Sequence, residues 1–145
     1  MNKDNLIGKH IIVYDGICVL CNRSIMFVCR HDKDDQCRIL QLQSQSSQAF
    51  LQAYSDTFDP TLLSSIALIT HFGTSTEQFY TKSTAALKIL SYCRGYGWLA
   101  RLGLLWPAFI RDSIYYVIAR CRYQLFGKLN QCSVPDPRYK HKLIL

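Results

Sequence analysis

The 145-residue sequence has no run of the roughly 20 apolar residues that a membrane-spanning helix needs. Its most apolar region, 98–119, is broken by Arg101, Pro107, Arg111 and Asp112, and its longest uncharged piece, 102–110, has nine residues. No secretory signal is visible, because Met1-Asn2-Lys3-Asp4-Asn5 leads into a short apolar run that soon meets Asp15. Repeats, low-complexity tracts and runs of adjacent basic residues are also missing, so the sequence does not read as a solenoid or as a basic tail. Apolar residues make up 49% and charged residues 19%, a globular composition that excludes a disordered chain. These absences predict a soluble, cytoplasmic protein. A single domain over 1–145 is expected, long enough to bury its own core.

Charge is unevenly placed. Residues 1–72 hold 6 basic and 7 acidic side chains, whereas 73–145 hold 11 basic and 3 acidic. The basic half could face nucleic acid, anionic lipid or an acidic protein. Its bases are spaced singly, however, so a solvated face is the simpler reading and no nucleic-acid partner is expected.

The seven cysteines are Cys18, Cys21, Cys29, Cys37, Cys93, Cys121 and Cys132. In a cytoplasmic chain they point to redox chemistry, to metal or to small buried hydrophobes, because a disulfide framework does not survive there.

The pattern of residues predicts an α/β fold. His10–Tyr14 reads as a buried strand, Cys18 to His31 as a helix, Cys37–Leu42 as a second strand and Ser44–Tyr54 as a helix. Ile66–Thr70 reads as a strand buried on both faces, with a hairpin return over Glu77–Thr81. Ser83 is expected to cap an amphipathic helix that stops near Gly95. Two more helical stretches follow, Trp98–Leu105 and Pro107 to about Gly127, before a Pro-containing tail from Asn130. The order βαβαββα, with right-handed parallel crossovers, is that of a thioredoxin-like domain: a small mixed sheet flanked by helices, with a helical extension over 97–145. The extension carries Trp98, Trp106, Phe109, Tyr115, Tyr116, Tyr123 and Phe126 among arginines. A layer covering one face of the sheet is the favoured reading, ahead of peripheral contact with a membrane surface or a partner helix.

The main chemical signal is Cys18-Val19-Leu20-Cys21, placed where the first strand passes into the first helix. Thiol exchange needs a thiolate nucleophile and a nearby thiol that resolves the mixed disulfide. A helix N-terminus supplies unpaired N–H groups and partial positive charge, and Cys-x-x-Cys thiols at such places titrate at about 3.5–7.5. Cys18, read as lying at the mouth of the turn, is the expected nucleophile. Cys21, one turn inward and partly covered, is the expected resolving thiol. The motif is also half of a zinc site, but no second Cys-x-x-Cys or His pair follows, and His10, His31 or Cys132 would have to complete it through the fold. No cofactor is called for.

Tyr14-Asp15-Gly16-Ile17-Cys18-Val19-Leu20-Cys21 resembles the signature Asp-x-x-Cys-x-x-Cys of the DCC family of thiol-disulfide oxidoreductases. Lys82-Ser83-Thr84-Ala85-Ala86-Leu87 looks like that family's later helix start. Arg122-Tyr123-Gln124-Leu125-Phe126-Gly127 and Cys132-Ser133-Val134-Pro135 resemble its C-terminal block. The resemblance covers about residues 10–140 and implies a thioredoxin-like core and exchange with a disulfide- or thiol-containing protein or a small thiol such as glutathione. In thioredoxins and glutaredoxins a cis-proline usually precedes the third strand. Here Ser64-Ser65-Ile66 stands in that place, and Pro60 lies too early, which points to a narrower substrate.

Asp15 has two readings. Its carboxylate can bond the backbone of the Gly16 turn or cap the helix, or it can take the proton of Cys21 during resolution. Gly16 is read as the residue that permits a tight corner. Ser65, Ser83 and Thr84 are secondary candidates for substrate binding, since a helix start near the cysteine pair could hold an anion such as a carboxylate of glutathione. Cys132 is a candidate third thiol, and Cys29, Cys37, Cys93 and Cys121 are read as core. A non-catalytic thioredoxin-like binding module, using the basic aromatic C-terminal face, is the alternative of a different class.

Overall fold

The computed structural model describes residues 3–53, 66–131 and 136–144. Pro60, Ser64, Ser65 and Cys132 lie outside the described residues. The elements are β1 (His10–Tyr14), α1 (Val19–His31), β2 (Cys37–Gln41), α2 (Gln45–Ala53), β3 (Ala67–Thr70), β4 (Gln78–Thr81), α3 (Lys82–Tyr92), α4 (Gly97–Leu105) and α5 (Ala108–Phe126). Short 3-10 turns occupy Lys3–Leu6 and Pro137–Lys142.

The sheet order is β2-β1-β3-β4. β1 runs parallel to β2, with Ile12 beside Ile39, and antiparallel to β3, with Ile12 beside Leu68; β3 and β4 form the hairpin. This is the mixed, helix-flanked sheet of a thioredoxin-like fold. All five residues of β1 are buried, as a β-branched central strand requires. Side chains alternate between two cores. Ile12, Tyr14, Ile39 and Leu68 pack with Ile25, Val28 and Cys29 of α1 and Ala85 and Ile89 of α3. Ile11, Val13, Leu40 and Ile69 pack with Phe50 of α2, Phe72 and Ile144 on the opposite face.

Three local expectations are corrected. Ser83 does not cap α3: the N-cap position is Thr81, and Ser83 is buried inside the helix. Strand and helix join without a loop because Lys82 takes a left-handed φ of 54°. Cys29, Cys37 and Cys93 do lie in the core, but Cys121 is half-buried on α5 and belongs to neither cluster. The aromatic C-terminal helices do not lie directly on the sheet. α4 packs on α3, and α5 packs on α3 and α1, which leaves their outer sides uncovered. The α3–α4 approach is close: a Cβ at Gly103 would fall 2.6 Å from the Leu87 side chain. Among the described residues no helix is long and apolar enough to cross a membrane.

The chain end returns to the outer edge of β2, where Leu143 bridges Ile39 and the Ile144 N–H donates to the Ile39 carbonyl at 2.9 Å. Just before it, the buried Lys142 ammonium lies 2.7 Å from Asp32 and 2.7 Å from Asp35. Asp32 also accepts the N–H groups of Gln36 and Cys37, so this pair pins the tail to the turn before β2. Lys142→Met leaves the Asp32 carboxylate buried without its cation. It should lower unfolding free energy by about 3–5 kcal/mol, read from the urea midpoint at unchanged slope.

Candidate active site

Asp15 begins the turn that carries β1 into α1. Its Oδ1 accepts the Ile17 N–H at 3.1 Å and the Gln43 side-chain amide at 2.8 Å. Gln43 in turn accepts the Gly16 N–H at 2.9 Å, and Asn22 donates to the Gly16 and Cys18 carbonyls at 2.7 and 2.9 Å. Gly16 does not use the left-handed backbone. The corner is therefore held by side-chain bonds from Asp15, Gln43 and Asn22 rather than by glycine's conformational freedom.

Cys18 is the N-cap of α1, and its Sγ accepts the Cys21 N–H at 3.2 Å. The sulfur thus occupies the place a Ser or Asp oxygen commonly takes at a helix start, facing the positive end of the helix dipole. The expectation that Cys18, at the mouth of the turn, is the less covered of the two thiols is corrected. Cys18 is 0% exposed, whereas Cys21 is half-buried. Across the motif lies residues 127–129, a strap in which Lys128 bridges Cys18 in antiparallel fashion. The Leu129 N–H donates to the Ile17 carbonyl at 2.8 Å, and the Val19 N–H donates to the Gly127 carbonyl at 3.5 Å. Gly127, at φ 90°, makes the turn out of α5 into this strap, a conformation that glycine takes without strain.

The Oδ2 of Asp15 reaches α5. It pairs with the Arg122 guanidinium at 3.0 Å, both side chains being nearly buried, and accepts the Tyr123 hydroxyl. Arg122 also donates to the Tyr123 oxygen at 3.2 Å and lies over the Tyr123 ring. Burial pushes the Asp15 carboxyl up. Hydrogen bonds from Tyr123, Gln43 and Ile17, together with the Arg122 charge, outweigh it and hold the pKa below the ordinary value. Burial pushes the Cys21 thiol well above the ordinary range, helped by its hydrogen bond to Cys18 and the Cys18 charge, while Arg122 opposes the rise. Burial thus favours the protonated form of Cys21, whose backbone N–H donates to the Cys18 sulfur. Burial also raises Cys29 and Cys93 to about 11, which leaves them inert as nucleophiles.

A cavity of about 540 Å³ opens beside Cys21, between α1, α3 and α5. Leu20, Phe27, Leu87, Leu90, Tyr115 and Ile118 make it largely apolar, and Asp15 and Arg122 form its polar end. The Tyr115 hydroxyl accepts the Ile66 N–H at 3.0 Å, which ties α5 to the entry of β3. Ser83 and Thr84 lie elsewhere. The Ser83 hydroxyl donates to Asp112, and Arg111 donates to Ser83 and Thr84 at 3.3 and 3.4 Å, joining α3 to α5 outside the cavity. Among the described residues, no three His, Cys, Asp or Glu side chains are placed to hold a metal ion.

The structure therefore brings Asp15, Cys18 and Cys21 together and adds Gln43, Asn22, Tyr115, Arg122 and Tyr123. Of these, only Arg122 and Tyr123 carried a sequence signal, as part of the C-terminal block that resembles the DCC family.

Residues 12–128 match the family described as DCC1-like thiol-disulfide oxidoreductase. The chain is similar to the uncharacterized protein YuxK of Bacillus subtilis (strain 168), 35% identical over 141 residues, covering 95% of this chain and 96% of the relative. It is also similar to an Arabidopsis thaliana protein described as the chloroplastic DCC family protein At1g52590, 33% identical over 127 residues, covering 87% of this chain and 70% of the relative. No solved structure matches the chain.

The Asp15–Arg122 pair makes a pH-dependent prediction. Asp15→Asn keeps the shape of the turn but leaves the Arg122 charge nearly buried without its partner. At neutral pH it should cost about 3–5 kcal/mol. Because the carboxyl pKa is lowered in the fold, its contribution is complete above the ordinary value of about 3.9 and is lost as pH falls through the folded value below it. Urea titrations of parent and variant should therefore differ at pH 7 and converge in acid.

Proposed function

The chain belongs to the DCC1-like thiol-disulfide oxidoreductase family, and we propose that it exchanges disulfides through Cys18 and Cys21, with Cys18 attacking and Cys21 resolving. The observation that carries the reading is Cys18 Sγ as the α1 cap, accepting the Cys21 N–H at 3.2 Å. An N–H donor and the helix dipole both favour negative charge on that sulfur.

In the reducing direction the Cys18 thiolate attacks one sulfur of a substrate disulfide. A Cys18–substrate disulfide forms, the substrate S–S bond breaks, and the second substrate sulfur leaves as a thiolate that takes a proton. Cys21 then loses its proton and attacks Cys18 Sγ. The Cys18–Cys21 disulfide forms and the first substrate sulfur is released as a thiol. Two electrons pass from the protein dithiol to the substrate disulfide, and the reverse sequence oxidises a substrate dithiol. Cys18 is 0% exposed and the backbone of residues 127–129 pairs beside it, so attack requires the site to open, and lifting this strap breaks its two backbone hydrogen bonds to Ile17 and Val19.

Asp15 acts here as a positioning residue. Its carboxylate oxygens accept from Ile17, Gln43, Arg122 and Tyr123, so taking the Cys21 proton requires one of those bonds to open. Its service is to keep the Arg122 cation near both sulfurs, where it favours a thiolate. Transfer of the Cys21 proton to Asp15 makes the opposite kinetic prediction: Asp15→Asn would then slow resolution about 10²–10⁴-fold with the first attack unchanged. Substrates are disulfides or thiols on a protein or a small molecule, and the apolar cavity beside Cys21 favours an apolar neighbour to the reacting sulfur.

The full burial of Cys18 favours one other reading, a thioredoxin-like scaffold that binds a partner without turnover. A disulfide-peptide reductase assay separates the two. Under the exchange mechanism the parent turns over, Cys18→Ser falls to the uncatalysed level, and Cys21→Ser accumulates a mixed disulfide at Cys18. Turnover that survives Cys18→Ser, or a parent that never turns over, removes the catalytic reading.

A further inference from the structure

Among the described residues, exposed large apolar side chains lie almost entirely on one part of this molecule. Trp98, Leu102, Leu105, Trp106 and Phe109 recur at helical spacing across the break between α4 and α5. At the tip of that helical hairpin Leu105 is 80% exposed, Trp106 61% and Phe109 71%. Exposed apolar surface of this extent on a monomer marks an interaction site.

The stretch of chain that carries it is charged almost entirely with one sign. Residues 82–131 contain 8 basic side chains and a single acid, Asp112, which is spent on the Ser83 hydroxyl. Every exposed charged residue of this stretch, among them Lys82, Arg94, Arg101, Arg120 and Lys128, is a cation. The tip itself, 102–110, is nine uncharged residues bounded by Arg101 and Arg111.

Part of its backbone is satisfied within the tip. At the helix break the Trp106 N–H donates to the Gly103 carbonyl at 3.3 Å, and the Trp106 carbonyl accepts the Arg111 guanidinium at 3.0 Å. The Phe109 carbonyl accepts the Ser113 hydroxyl at 2.7 Å. These three bonds satisfy part of the tip's backbone internally, while α5 begins without a side-chain cap.

We propose that the α4–α5 hairpin docks this protein on an anionic membrane surface. Leu105, Trp106 and Phe109 enter the acyl boundary, and Arg101 and its neighbours sit at the level of the lipid phosphates. An uncharged aromatic tip flanked by cations is what the interface between headgroup and acyl chain rewards. A cationic rim does not favour a second copy of this chain, because two such faces repel.

The test uses the intact protein and vesicles of phosphatidylcholine alone or mixed with equal parts phosphatidylglycerol. Both tryptophans of the chain, Trp98 and Trp106, lie on the proposed face, so their emission reports docking directly. Mixed vesicles should sediment the protein and blue-shift its emission, and pure phosphatidylcholine should bind it more weakly. Leu105→Glu with Phe109→Glu should weaken binding about 100-fold, and Arg101→Glu about tenfold or more on the mixed vesicles alone. These positions are exposed, so circular dichroism and melting should match the parent. Disulfide turnover on a soluble peptide should also be unchanged, which keeps this claim separate from the thiol chemistry. Absence of binding at low salt overturns the proposal, as does a double variant that binds like the parent. So does a parent dimer that the double variant converts to monomer without any vesicle binding, since the face is then covered by a second copy.

Discussion

The carboxylate of Asp15 holds the motif turn and the C-terminal helix in one arrangement. One oxygen is bonded to the turn itself, through Ile17 and Gln43, and the other to Arg122 and Tyr123 on α5. A carboxylate can serve both at once because its two oxygens offer about four acceptor positions, and here four donors use them. The consequence is electrostatic as well as mechanical. A cation whose own side chain is nearly buried is kept beside two thiols, where it is compensated by a neighbouring anion.

The strap depends on that arrangement. α5 ends at Phe126, and Gly127 turns the chain so that Lys128 and Leu129 lie along Ile17 and Cys18. Anything that shifts α5 moves the segment paired with the motif backbone. The same helix walls the apolar cavity through Tyr115 and Ile118 and, with α4, forms the basic and aromatic outer face. One helix thus joins access to the thiols, the space beside them and the surface the protein shows to its surroundings.

The sheet and its helices were legible because they follow from local pattern. The β-branched run His10–Tyr14 is buried on both faces, and the spacing of Ile25, Val28 and Cys29 sets one side of α1. The Cys-x-x-Cys position at the strand-to-helix junction was legible for the same reason. Relations between distant residues were not. Arg122 lies 107 positions from Asp15, and no periodicity connects them. The burial of Cys18 is not legible: Gly127 reads as the end of a helix and Lys128-Leu129 fall in no element, so no pattern pairs them with Ile17 and Cys18. The outer helices read as a layer on the sheet because apolar residues are expected to be inside. Leu105 and Phe109 follow helical spacing equally well when nothing covers them.

The central claim is that Cys18 and Cys21 form one redox couple, distinct from the buried cysteines of the core. The direct measurement is equilibration of the intact protein across a series of thiol-disulfide buffers, with each cysteine's state read by differential alkylation and mass spectrometry. The account predicts a single two-electron transition that joins Cys18 to Cys21, with a potential within the range of about −270 to −120 mV found for dithiol oxidoreductases, while Cys29, Cys37 and Cys93 stay reduced. Cys18 and Cys21 that remain two thiols across the whole series, or that oxidise only to other cysteines, would contradict it.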